Sequence, residues 1–209
     1  MDNNTSKQKV IQAASLLFFQ KGFHATTVRD IAEKASVNVS LISYYFKGKQ
    51  GLLEYAVTQY YDAYLHSIKD TLHETKDESD FQKLQQVIYT IVHYKQSHYQ
   101  LSCFIHRELS LDSMFVREMA VTYLAKENYL ISNLLYNALN AYRQEEFDQH
   151  FLLMQLKGML VTPYVLHNEW KHQVVGEFSH QYFIEKYVRS IHDWLEFIIN
   201  KQKTPKVNV

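Results

Sequence analysis

An all-α protein is the fold class this sequence predicts, and three observations point to it. The 209 residues hold only five glycines and two prolines, about a quarter of the usual share, whereas sheets and tight hairpins need far more such punctuation. Apolar residues recur three and four apart through most of the chain, the period of one helix face. A single cysteine excludes an internal disulfide framework and a Cys-rich zinc site. With 46% apolar residues the chain can bury a sizeable core, as one large domain or two small ones. No apolar run approaches the roughly 18 residues that cross a bilayer. The opening MDNNTSKQK lacks the apolar core of a signal peptide. These features lead us to expect a soluble, cytoplasmic protein with no membrane partner.

The first helix is expected to start at Thr5, paired with Gln8 as a capping box. Val10, Ala13, Ala14, Leu17 and Phe18 then form one apolar face, Gly22 closes the helix, and Phe23 plugs the core. Thr27 with Asp30 reads as a second capping box, opening a short helix whose buried stripe is Val28, Ile31, Ala32 and Ala35. Ser36-Val37-Asn38 is a tight connection, and Asn38 suits the cap of a third helix over Val39–Phe46.

That third helix carries the functional signal. At about 100° per residue, Ile42, Tyr45 and Phe46 share the inner face, while Ser40, Ser43, Tyr44 and Lys47 share the outer one. Leu41 lies on the border and Val39 leans inward. Two short helices across a three-residue turn, the second with a small polar outer face, make a helix-turn-helix suited to the DNA major groove. The alternative is a three-helix bundle with no ligand. Charge agrees with the nucleic-acid reading: the net charge is zero, yet residues 1–50 hold seven Lys/Arg against three Asp/Glu, a basic head on an acidic body.

From Lys49 a helix is expected to about Thr75, with Val57, Tyr60, Tyr61, Tyr64, Leu65, Ile68 and Leu72 as its stripe. After a charged break at Lys76–Asp80, residues 81–97 and 99–110 read as two more helices. Asp112 is expected to cap a long helix to about Arg143. The eighth helix, Phe151–His167, should kink at Pro163. The ninth should run from about Glu177 to Asn200, leaving 201–209 as a disordered tail. Leu156 and Leu160 on the eighth helix, and Tyr187, Ile191, Trp194, Leu195 and Ile198 on the ninth, are apolar positions that either pair with a two-fold copy or fill the chain's own core. The domain boundaries are set at 1–50, 51–200 and 201–209.

The stretch FFQKGFHATTVRDIAEKASVNVSLISYYFKGKQGLL resembles the DNA-binding head of the TetR family of bacterial regulators. Its marks are Gly22-Phe23, Thr26 to Ala32, Val37, Tyr45-Phe46 and Lys49, within a match over roughly residues 5–55. The resemblance implies an all-helical homodimer of about nine helices, with three that bind double-stranded DNA and a regulatory body that favours the dimer reading of the last two. It implies phosphate contacts by Thr26, Thr27, Arg29, Tyr44 and Lys49, and base-facing positions at Asn38, Val39, Ser40 and Leu41, with Ser43 where an aromatic is common. No Arg, Gln or Lys precedes Lys47 on the recognition helix, so no bidentate guanine reader is present. Discrimination is therefore expected to lean on DNA shape and on Lys7 and Lys9.

Residues 99–130 are similar to the RefZ-type branch of that family, which binds near the chromosome origin of spore-forming bacteria and restrains the division protein FtsZ. The matching residues include His106-Arg107-Glu108, Leu111-Asp112-Ser113, Val116-Arg117-Glu118 and Lys126-Glu127. This resemblance implies a nucleoid-associated regulator of cell division, with FtsZ as a partner. Arg107, Arg117 and Glu118 are the candidate partner surface, against the alternative of local salt bridges. A ligand-responsive repressor is the competing function. Sixteen tyrosines and twelve phenylalanines could line a ligand cavity or fill the core, so no inducer is named.

No catalytic motif is present: no H-E-x-x-H, nucleophile elbow, Walker loop or G-x-G-x-x-G occurs. His93 and His98 are five residues apart, as are His167 and His172, and neither pair shares a helix face. Cys103 sits among apolar neighbours and reads as packed. Neither enzyme activity, a metal nor a cofactor is expected.

Overall fold

The computed structural model describes residues 3–110, 114–140, 149–170 and 180–203, and these form ten helices with no strand among them. The helices are α1 (Asn3–Ala25), α2 (Val28–Ala35), α3 (Val39–Phe46), α4 (Lys49–Glu74), α5 (Asp80–Ser97), α6 (Tyr99–Ser110), α7 (Met114–Asn140), α8 (Gln149–Val165), α9 (His167–Trp170) and α10 (His180–Lys203). The count exceeds the expected nine by the four-residue α9. Helix α1 begins ahead of Thr5, which therefore lies inside the first turn instead of capping it. Helix α10 runs to Lys203, into the segment expected to be tail. Asp112, the Arg143 end of the seventh helix, and the expected Glu177 start lie outside the described residues.

Packing divides the chain elsewhere than at residue 50. One compact unit comprises residues 1–63 and 98–121, and the other residues 64–97 and 122–209. The first unit thus joins α1–α3 to α6. Its core takes Val10, Ala13, Ala14, Leu17 and Phe18 from α1, Ile31, Ala32 and Ala35 from α2, and Ile42 and Phe46 from α3, all buried. Removing each large apolar side chain from water stabilises the fold by about 1.5–3 kcal/mol. Cys103 of α6 is fully buried there, and burial pushes its thiol up to about 12, so the sulfur is inert at neutral pH.

The second unit packs α5 against α10 and α8. Its centre holds a buried polar knot. Lys95 of α5 lies 3.6 Å from the Glu127 carboxylate of α7 and donates to the Leu160 carbonyl of α8 at 3.3 Å. The Tyr64 hydroxyl of α4 donates to the same carboxylate. Burial drives the Lys95 ammonium below its usual range, while Glu127 opposes that shift.

Pro163 sits in α8, two residues before its end. Proline has no amide hydrogen, so the Met159 carbonyl, four residues earlier, loses its helical donor. The Tyr187 hydroxyl of α10 donates to that carbonyl at 2.7 Å. A side chain from a neighbouring helix thus repairs the defect that the proline makes.

Candidate nucleic-acid interface

The interface is built on α2 and α3. Thr27 caps α2: its hydroxyl accepts from the Asp30 amide at 3.1 Å, and the Asp30 carboxylate accepts from the Thr27 amide at 3.0 Å. A cap of this kind is worth about 1 kcal/mol. The Thr27 amide, aided by Lys21 at 3.8 Å, holds the Asp30 carboxyl below its usual range. Ser36 ends α2 in the left-handed conformation with φ 54°, and Val37 passes into Asn38, which caps α3.

Helix α3 carries its two faces largely as its sequence predicts. Ile42 and Phe46 are buried, Tyr45 and Leu41 are half-buried, and Ser40, Ser43, Tyr44 and Lys47 are exposed. Tyr44 is 78% exposed, unusual for so large a ring. Val39 is 40% exposed, so it turns outward and not inward as expected. The first turn opens on the Asn38 cap, and a side chain one position beyond it has no preceding turn to cover it.

The start of α3 has a defined polarity. Asn38 Oδ1 accepts from both the Ser40 amide at 2.9 Å and the Ser40 hydroxyl at 2.8 Å. Asn38 is exposed, and its amide nitrogen is left as a donor. The Ser40 oxygen, its proton given to Asn38, is left as an acceptor. Gly51, in the first turn of α4, sets how closely that helix approaches α3, because any Cβ there would collide with the Phe46 carbonyl.

Two of the residues expected to contact phosphate have partners within the chain. Thr26 is fully buried, and its hydroxyl donates to the Gly22 carbonyl at 2.8 Å and the Leu17 carbonyl at 3.3 Å. The Lys49 ammonium donates to the carbonyls of Thr26 at 2.7 Å and Phe23 at 2.8 Å and lies 4.4 Å over the Phe23 ring. Turning it to a phosphate would give up both of these charge-assisted contacts, although the Phe23 carbonyl also accepts from the Thr26 amide at 3.3 Å. Both side chains bind the corner between α1 and α2. Thr27, Arg29, Tyr44 and Lys47 remain exposed. Lys7 is also committed, its ammonium 4.0 Å over the Tyr55 ring, whereas Lys9 is exposed.

The candidate partner surface changes as well. Arg107 is not free on a surface: its guanidinium donates to the carbonyls of Phe18 at 2.9 Å and Phe19 at 3.1 Å, and its Nε lies 3.9 Å from the Glu108 carboxylate, the local salt bridge that was the alternative. Glu118 is exposed, and the Arg117 side chain lies outside the described residues.

Of the expected dimer residues, Leu156, Leu160, Ile191 and Leu195 are buried within the single chain. Tyr187 serves Met159, and Trp194 and Ile198 are half-buried. These positions face the chain's own core because α8 and α10 each turn that stripe inward. The exposed apolar side chains on the two helices are Phe151, Met154, Tyr182 and Phe197. The sequence carried a signal for them: Phe151 to Met154 is apolar on every side, and such a helix needs cover on two faces.

No helix among the described residues is long and apolar enough to cross a membrane. No group of three His, Cys, Asp or Glu among them could hold a metal ion.

The family described as "Bacterial regulatory proteins, tetR family" matches residues 10–56, the segment from α1 into α4 that includes the helix-turn-helix. Over nearly its whole length the chain is 37% identical to "Probable HTH-type transcriptional regulator YttP" of Bacillus subtilis (strain 168), covering 93% of this chain and 94% of that one. The chain belongs to the TetR family. Among solved structures it is similar to the ketosteroid transcriptional regulator KstR2 of Mycobacterium tuberculosis, with a TM-score of 0.72, 14% identity and coverage of 90% and 93% of the two chains. It is similar as well to the fatty acid degradation regulator FadR from Bacillus halodurans, with a TM-score of 0.66, 19% identity and coverage of 90% and 93%. At such identities these two show the fold alone. The chain is thus a TetR-type, helix-turn-helix transcriptional regulator.

Proposed function

We propose that this chain is a homodimeric, RefZ-type DNA-binding protein that occupies palindromic sites and regulates cell division through FtsZ during sporulation. The observation that carries the DNA half is the outer face of α3, where Ser40, Ser43 and Tyr44 stand exposed on a helix anchored by buried Ile42 and Phe46. Thr27, Arg29, Tyr44 and Lys47 take the phosphates, with Arg29 beside the electropositive start of α2. The polarity at the start of α3 suggests a base. Adenine offers the major groove an acceptor at N7 and a donor at N6, which match the Asn38 donor and the Ser40 acceptor; guanine offers two acceptors. Val39 and Leu41 add methyl groups that suit a thymine methyl. The dimer uses the exposed apolar residues of α8 and α10.

The division half rests on the similarity of residues 99–130, with Glu118 exposed and Arg107 withdrawn from the surface. A ligand-responsive transcriptional repressor is the second reading, favoured by the relative described as a transcriptional regulator that matches over 93% of this chain. Footprinting the purified protein across its own chromosome, with FtsZ polymerisation assayed in the presence and absence of bound DNA, separates the two. Sites clustered near the replication origin and altered polymerisation support the division reading. A single site upstream of an operon, with polymerisation unchanged, supports the repressor and overturns the division role.

A further inference from the structure

The DNA-binding corner is held together from outside the helix-turn-helix. Helix α1 breaks at Gly22, where φ 80° and ψ 168° leave the helical region. Beyond such a break the ladder stops, and carbonyls near the end of the helix lose their amide donors. Side chains donate to the carbonyls on both sides of the break. Thr26 serves Gly22 and Leu17, Lys49 serves Phe23 and Thr26, and Arg107 serves Phe18 and Phe19. Thr26 and Lys49 belong to the head itself. Arg107 comes from α6, 88 residues further along the chain than Phe19.

The geometry suits arginine in particular. Its planar fork presents parallel N–H groups, which fit two consecutive carbonyls at 2.9 and 3.1 Å. A positive charge is also favoured at the C-terminal end of a helix. Ring contacts fix the same approach: Phe104 lies 5.4 Å from Phe18, and Tyr99 lies 6.0 Å from Phe19. The Thr27 cap and α2 follow within a few residues of the break.

We propose that Arg107 is a positioning residue for DNA binding: by closing the break in α1 from α6 it fixes the direction in which α2 and α3 are presented to the duplex, without touching DNA. This rests on the DNA-binding reading, and the test keeps the two apart. The probe is the duplex that the wild-type dimer selects from a random-sequence pool. Arg107→Met should bind it at least about tenfold more weakly at a temperature well below unfolding. The slope of log affinity against log salt should stay that of the wild type, because no phosphate contact is lost. Arg107→Lys, which reaches one carbonyl in place of two, should fall between them, and it carries the comparison if the methionine variant fails to fold. The amides of residues 23–27 should exchange faster in either variant. Affinity within twofold of wild type in a folded variant would overturn the role, as would a loss accompanied by a slope shallower by about one, the sign of a direct phosphate contact. A wild-type protein that selects no duplex would overturn the DNA-binding reading, and this role with it.

Discussion

Asn38 shows how much one side chain decides. Its oxygen caps α3, which leaves its amide nitrogen as a donor, so in the proposed reading the same residue stabilises the helix and sets the polarity of what the helix can read. Asn38→Asp keeps the cap and removes the outward donor. We expect it to leave the unfolding midpoint nearly unchanged and to abolish the preference for adenine under each head, as read by selection from a random pool. A preference that survives unchanged would show that Asn38 does not read the base. Lys49 makes the opposite point. Its position suggested a phosphate contact, but the carbonyls of Phe23 and Thr26 hold its ammonium at 2.8 and 2.7 Å. The sequence shows a cation at the start of a helix. It shows Gly22 closing α1 as well, but not that Lys49, 26 residues beyond Phe23, folds back onto the carbonyls there.

At the scale of elements, α8 and α10 illustrate mutual repair. Pro163 removes a donor within α8, and Tyr187 of α10 replaces it. Tyr187→Phe should therefore cost about 1–2 kcal/mol of stability, the price of an orphaned carbonyl. In Pro163→Ala the helix regains its own donor and the tyrosine becomes dispensable, so the two changes should couple in a double-mutant cycle by denaturant unfolding. Strict additivity would contradict the repair. Most helices were legible in the sequence, because periodicity and caps are local: α3 spans Val39–Phe46 as its pattern predicts, with Asn38 as its cap. What was not legible was which stripe of α8 and α10 faces inward. Both helices carry apolar residues beyond one face, and the choice between a core and a partner is made by packing, which residue spacing does not encode. The Leu156, Leu160, Ile191 and Leu195 stripe went to the core. For the same reason the sequence offered Arg107 only a partner surface or a local salt bridge, since its carbonyl acceptors lie 88 and 89 residues away in the chain.

For the whole molecule, binding to palindromic DNA requires two heads that meet successive turns of the duplex, about 34 Å apart, and therefore a dimer. Met154 and Phe197 are each 63% exposed on the two helices that would form its interface. Met154→Glu and Phe197→Glu should convert a dimer to monomers by sedimentation and weaken palindrome binding while leaving each monomer folded. Variants that remain dimers would move the interface elsewhere. The central claim is narrower: the exposed side of α3 enters the duplex groove. Ser43 lies on that side and is exposed, so the duplex affinity of Ser43→Glu tests the claim most directly. A carboxylate pressed into a polyanion should cost at least about a hundredfold in affinity, with the unfolding midpoint within a few degrees of wild type, as for ordinary surface substitutions. Duplex affinity equal to that of the wild type would contradict the account.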